Sequence, residues 1–196
     1  MAAFSVCHSM TIDERLLALC IGGDRKAQLR LYDQCYKYMM AIAVRYCKDR
    51  QEAGARVNLA FLKILQHLEQ YDQSGSFKAW ISRITLRSII DEFRSQQNHY
   101  KHNIYYGQPS LDPSWPDDEM NHIAEEINLD HLMSLVNQLA PMGRQVFNLF
   151  AIDGYGHKEI AEMLNISEGT SKWHLHEARK KLQALLLKDF KTASLK

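Results

Sequence analysis

Proline is scarce: of four in 196 residues, Pro109, Pro113 and Pro116 fall in one short stretch and Pro141 stands alone. Long segments on either side of that stretch therefore lack the residue that breaks a helix by missing its N–H. No run of about 18 apolar residues occurs, which excludes a membrane-spanning helix. The opening MAAFSVCHSMTIDER has neither a basic start nor a long apolar stretch, so no secretory signal is expected. The four cysteines, Cys7, Cys20, Cys35 and Cys47, form no C-x-x-C pair, which argues against a zinc ribbon or a redox motif. They are expected as small, reduced, buried side chains in a cytoplasmic protein. No P-loop, Ser-His-Asp set or paired-carboxylate arrangement is present, and His174 and His176, at i,i+2, face opposite sides of a helix. No enzyme activity, metal or cofactor is therefore expected.

What is present is helical periodicity. Asp13 to Ile21 reads as a short helix ended by Gly22-Gly23. Asp24 caps a second, with a stripe through Leu31, Tyr32, Cys35, Met39 and Ala43. A third fits about Ala53 to Leu68, where Val57, Ala60, Phe61, Ile64 and Leu68 recur at three- and four-residue steps. Tyr71 to Ser76 is a turn, and a fourth helix runs from about Phe77 to Arg94, with Phe77 and Trp80 on its apolar stripe. After the proline stretch, further helices fit about Ile127–Gln138, Met142–Ile152, His157–Leu164 and Glu168–Leu187. No alternation of period two survives a count. The fold class is all-α: two small helical domains, residues 1–95 and 127–196, joined by a flexible linker, 96–126, too long for a connection inside one compact domain. Tyr105 and Tyr106 in that linker fit either base stacking or loose packing.

Net charge is only +1, but its distribution is uneven. Residues 1–95 hold 14 Lys/Arg against 10 Asp/Glu, residues 96–126 hold 1 against 6, and residues 127–196 hold 9 against 7. Two mildly basic ends flank an acidic middle, a pattern compatible with nucleic-acid binding at both ends.

The segment HKEIAEMLNISEGTSKWHLHEARKKL is the most informative. A short helix with Ile160, Ala161 and Leu164 meets Asn165-Ile166-Ser167, where Asn tolerates the left-handed backbone and Ser167 can cap the next helix. Small Ala161 lets two helices cross closely. The pattern is a helix-turn-helix, whose second helix would offer Glu168, Thr170, Ser171, Lys172, His174 and Arg179 to a major groove, Lys172 and Arg179 being suited to phosphates or guanine edges. The bland reading of the same residues is two solvent-facing helices of an all-α domain.

At this point the chain resembles the extracytoplasmic-function (ECF) sigma factors of the sigma-70 family. LAPMGRQVFNL, from Leu139, resembles the start of their region-four domain; Gly154-Tyr155 with Glu159-Ile160-Ala161 resembles its G-[YF]-x-x-x-E-I-A core, and Ile166 to Lys172 with Ala178 to Leu182 completes it. Gly23-Asp24 followed by Leu31-Tyr32, then Phe61-Leu62-Lys63 and Phe77-Lys78-Ala79-Trp80-Ile81-Ser82-Arg83-Ile84, resemble the region-two domain. The resemblance covers about residues 13–95 and 127–187. It implies that region two binds core RNA polymerase and captures an unpaired base of the minus-ten element, and that region four reads the minus-thirty-five element. Carried over by position, the minus-ten surface would comprise Tyr71, Asp72, Gln73, Ser74 and Ser76 of the loop with Arg83, Arg87 and Asp91 of the following helix. The polymerase surface would include Arg56, Asn58 and Lys63 on the outward side of the third helix. The usual acidic run before the Phe is altered: Ala55 replaces an acidic residue, Arg56 an apolar one, and Asn58-Leu59 stand where Gln-Glu is common.

The implied partners are core polymerase and promoter DNA, with room for an anti-sigma factor or another recruiting protein. Two other readings stay open: a helix-turn-helix regulator acting without polymerase, which would need a symmetric dimer, and a sigma-like module that docks on another protein, which the altered Ala55–Leu59 stretch keeps open.

Overall fold

A computed structural model describes residues 12–72, 75–100 and 129–193. All regular structure among them is helical: α1 (Glu14–Ile21), α2 (Arg25–Tyr46), α3 (Arg50–Gln66), α4 (Phe77–Tyr100), α5 (Leu129–Val136), α6 (Pro141–Phe147), α7 (His157–Leu164) and α8 (Glu168–Ala193). The chain divides into two compact units between Asp91 and Glu92.

The first unit starts from its caps. Asp13 accepts a hydrogen bond from the Arg15 N–H, and Asp24 from that of Ala27 at 2.8 Å. Gly23, at φ 82°, makes the turn between α1 and α2 that a side chain would strain. Helix α3 begins earlier than its apolar stripe predicts. Asp49 accepts from the Glu52 N–H at 2.8 Å while the Glu52 carboxylate accepts from the Lys48 N–H at 2.8 Å, so a polar exchange starts the helix before any apolar residue does. Leu31, Cys35, Met39 and Ala43 of α2 meet Ala53, Val57, Ala60 and Ile64 of α3, all fully buried. The alanines keep the two backbones close. Leu16, Leu17 and Cys20 from α1, and Ile81, Leu86, Ile89 and Ile90 from α4, close the core. Cys20, Cys35 and Cys47 are buried and form no disulfide, and burial pushes the Cys35 thiol up to about 12. Cys7 lies outside the described residues.

Helix α4 runs past Arg94 to Tyr100. The added turns are polar all round, so no apolar stripe announces them, but no Gly or Pro stops them either. Tyr105 and Tyr106 lie outside the described residues. In the second unit, Pro141 takes the first position of α6. The single helix expected over Met142–Ile152 is instead α6 followed by a π turn, Asn148–Ile152, closed by the Asp153 N–H on the Asn148 carbonyl at 3.0 Å. The wider turn carries Phe150 out of the interior and onto His157, ring centroids 4.7 Å apart. Leu135, Val136, Leu139, Val146, Leu149, Ile160, Leu164, Leu175, Ala178, Leu182 and Leu186 form the core. Helix α8 outlasts the expected Leu187, held at that end by His131 of α5 against Asp189 at 3.1 Å. None of the helices is long and apolar enough to cross a membrane.

Candidate nucleic-acid interface

The turn between α7 and α8 follows its sequence closely. Asn165 adopts φ 53°, the one non-glycine positive φ among the described residues, and the Ile166 N–H returns to the Ala161 carbonyl. The Ser167 hydroxyl accepts from the Thr170 N–H at 3.0 Å and pairs with the Thr170 hydroxyl at 2.8 Å. At the entry to α7, Glu159 accepts from the Gly156 N–H at 2.8 Å.

With the turn built this way, the six polar residues expected to face DNA are all engaged within the domain. Ser171 needs correction: it is fully buried, its hydroxyl 2.9 Å from Nδ1 of His157, because it shares the inner stripe with Leu175 and Ala178. Thr170 is tied to the cap. Glu168 and Lys172, both exposed, pair with each other at 2.9 Å. His174 is half-buried, its ring 4.7 Å from that of Trp173, and burial holds it below its ordinary value, so it is neutral at pH 7. Arg179 lies half-buried with its guanidinium 5.7 Å from the Phe150 ring centroid, on a stack that continues to His157. Of these, Lys172 has the most accessible charge, since an exposed i,i+4 pair is weakly held.

The first unit shows a second candidate surface. Arg83, Arg87 and Asp91 are exposed at i, i+4 and i+8, one ridge of α4. Trp80 sits at the head of that ridge. It is half-buried rather than core, in an aromatic cluster with Tyr71 at 5.4 Å and Phe77 at 5.6 Å, and only Phe77 is fully inside. Tyr71 donates to the Gly75 carbonyl at 2.6 Å, closing the loop that precedes α4. Asp72 and Ser76 are exposed on it; Gln73 and Ser74 lie outside the described residues. Sequence reasoning missed Lys78, whose ammonium stands 4.6 Å from the Tyr38 ring centroid, and Tyr38, hydrogen-bonded to Ser82 at 2.6 Å.

Family models match both units: Sigma-70 region 2 over residues 31–99 and Sigma-70, region 4 over residues 129–182, together more than half the chain. The chain belongs to the sigma-70 family. Its curated relatives place it with the ECF type. It is 24% identical over 178 residues to the ECF RNA polymerase sigma factor SigK of Mycolicibacterium vanbaalenii, covering 88% of each chain. It is 26% identical over 162 residues to the RNA polymerase sigma factor SigZ of Bacillus subtilis, covering 80% of this chain and 85% of that one. Among solved structures it is similar to the sigma factor RpoE in complex with the anti-sigma factor NepR from Bartonella quintana, at 17% identity and a TM-score of 0.47, covering 88% of this chain and 94% of that one. As an ECF sigma factor, it binds core RNA polymerase and directs it to promoter DNA, a regulatory rather than catalytic role.

The face of α3 in this sigma factor differs from expectation. Arg56 is not outward: its side chain is only 13% exposed and bonds Glu52 at 3.3 Å, since it lies next to Val57 and one turn from Ala53 and Ala60, all buried. Lys63 is half-exposed and reaches Asp91 of α4 at 3.8 Å. Asn58 is exposed and accepts a 2.6 Å hydrogen bond from Tyr32 of α2. Exposed apolar side chains lie on the same two helices: Leu59 at 46% and Leu62 at 55% on α3 and Leu29 at 61% on α2. Tyr32 packs edge-on against Phe61 at 5.0 Å, so Tyr32 ties α2 to α3 beside Asn58, and Leu59 and Leu62 lie within about one turn of Asn58 on α3. The Asn58-Leu59 departure from the family pattern was the available signal: a Leu where an acidic residue is usual.

Proposed function

We propose that residues 1–95 form the polymerase- and minus-ten-binding domain, that 96–126 is the linker, and that residues 127–196 read the minus-thirty-five element. The polymerase surface is the α2–α3 face of Leu29, Tyr32, Asn58, Leu59 and Leu62. The observation that carries this is the exposed Leu59 and Leu62 within about one turn of Asn58, which bonds Tyr32, together with exposed Leu29 on α2, on a family member whose usual acidic residues are missing there. A contiguous exposed apolar patch on a small domain marks a protein contact. The minus-ten surface is the ridge from Tyr71 and Trp80 through Arg83 and Arg87 to Asp91. Its aromatic end offers a stacking platform for an extruded base and its arginines offer charge to the backbone. The chain has no catalytic step of its own, and its place of work is the cytoplasm, where core polymerase is.

The test is a competition assay for core polymerase with the full chain. Leu62→Asp should weaken binding at least about tenfold, the size of effect that a charge placed in a desolvated apolar contact produces. Wild-type binding that survives this change would move the polymerase surface elsewhere. A wild-type chain that binds no core polymerase would defeat the whole reading.

A further inference from the structure

Helix α8 buries Ser171, Leu175, Ala178, Leu182 and Leu186. Trp173 is two residues from both Ser171 and Leu175, which puts it about 160° from each around the helix. It therefore lies on the side of α8 away from those five residues, with Gly169, Glu177 and Lys180, and it is half-buried there. Sequence reasoning about polar positions passed over it because it is apolar. The cations it favoured are already occupied, Lys172 with Glu168 and Arg179 over Phe150. The indole is held rather than free, in a tilted contact with the half-buried His174 ring, 4.7 Å between centroids at 66°. Helical side chains lean toward the N-terminus, so the indole leans toward the turn that carries Gly169, a residue with no side chain of its own. That turn is part of the N-terminal segment of a recognition helix, the part that enters a major groove.

We propose that Trp173 is a specificity-determining residue of this sigma factor, recognising the 5-methyl group of a thymine in the upstream promoter element. This rests on the assignment of α8 as the promoter-reading helix. An uncharged indole cannot neutralise a phosphate, and its single N–H cannot form the two-point contact by which arginine reads guanine. Its broad apolar face suits the one apolar group exposed on a base edge in the major groove, the thymine methyl. Lys172 beside it, in a weakly held exposed pair, is left to exchange Glu168 for a phosphate, which positions the helix without reading sequence.

The experiment uses holoenzyme reconstituted from the full chain and core polymerase, selecting from duplexes randomised across the upstream element. Wild type should enrich a motif with at least one strongly preferred thymine. Trp173→Ala should lose preference at that position by about tenfold, keep the others, and melt like wild type. Trp173→Phe should retain part of it. In the selected duplex, replacing that thymine with uracil, which differs only by the methyl, should weaken wild type and leave Trp173→Ala indifferent. Lys172→Ala should instead weaken all sequences alike and lower the salt dependence. An unchanged motif for Trp173→Ala, or equal binding of uracil and thymine by wild type, overturns the assignment to Trp173 alone. A wild type that binds core polymerase but enriches no upstream sequence overturns the promoter-reading face, and Trp173 with it.

Discussion

His157 is constrained from several sides. It opens α7, stacks on Phe150, and bonds Ser171 through Nδ1. Burial first, then the charge of Lys172, hold its imidazole below the ordinary value; Glu168 pulls the other way, and Arg179 adds a lowering smaller than that pull. The folded state therefore disfavours the protonated ring, whereas the unfolded chain protonates it near its ordinary value of about 6.5. The neutral ring's contribution to stability is complete above that value and is lost as pH falls through it toward the lower folded pKa. His174, lowered by burial, acts in the same sense. The denaturant midpoint of the chain should drop between about pH 7 and pH 5.5, and His157→Asn should flatten that drop while lowering the midpoint at pH 7. A profile for His157→Asn parallel to wild type would show that another group is responsible. Arg56 gives a second residue-scale expectation. Because it is covered and bonded to Glu52, Arg56→Glu should lower the melting temperature of the chain more than its affinity for core polymerase.

At the scale of elements, one helix boundary and one position inside a helix can be tested. Asn165 supplies the left-handed residue between α7 and α8 at φ 53°. Asn165→Gly should leave stability nearly unchanged, whereas Asn165→Val should cost about 1–2 kcal/mol, because a β-branched side chain clashes in that region. Thermal melts of the two variants decide it, and equal melting temperatures would mean that the turn can relax. In α3, Gly54 sits mid-helix with nothing within 4 Å of where a Cβ would lie. Gly54→Ala should therefore stabilise the first unit by about 0.5–1 kcal/mol through lower unfolded-chain entropy and better helix propensity. A loss of stability would show that the α2–α3 contact needs the bare backbone there.

For the whole molecule, the pattern of exposed side chains separates two kinds of contact. The α2–α3 face presents leucines around an uncharged Tyr–Asn pair, so holoenzyme assembly should depend weakly on salt. Promoter binding, on the proposed assignment to Arg83, Arg87, Lys172 and other surface cations, should weaken steeply as salt rises. Measuring core affinity and promoter affinity of one preparation across the same salt series tests this. A core affinity that falls as steeply as the promoter affinity would show that charge, not the leucine face, carries assembly.

Helix number, the all-α class and the family were legible from local signals. Asp24 before a stripe, Gly22-Gly23, Pro141 and Asn165-Ile166-Ser167 act within a turn or two of themselves, and their effects do not depend on what packs nearby. The π turn at Asn148, the early start of α3 at Asp49 and the run of α4 to Tyr100 were harder to read, because polar exchanges and propensity extend helices without leaving an apolar stripe. The candidate sites were legible as segments but not as faces. Polar type selected Ser171 and Arg56, and tertiary packing turned both inward, because a helix fixes the angle of each residue and the neighbouring helix decides which angle is buried. The same packing left Leu59 and Leu62 exposed and Trp173 half-buried on the far side of α8. Residue type marks what burial would favour on average, but only the register of α3 against α2, and of α8 against α6 and α7, decides which side chains are left for polymerase and DNA.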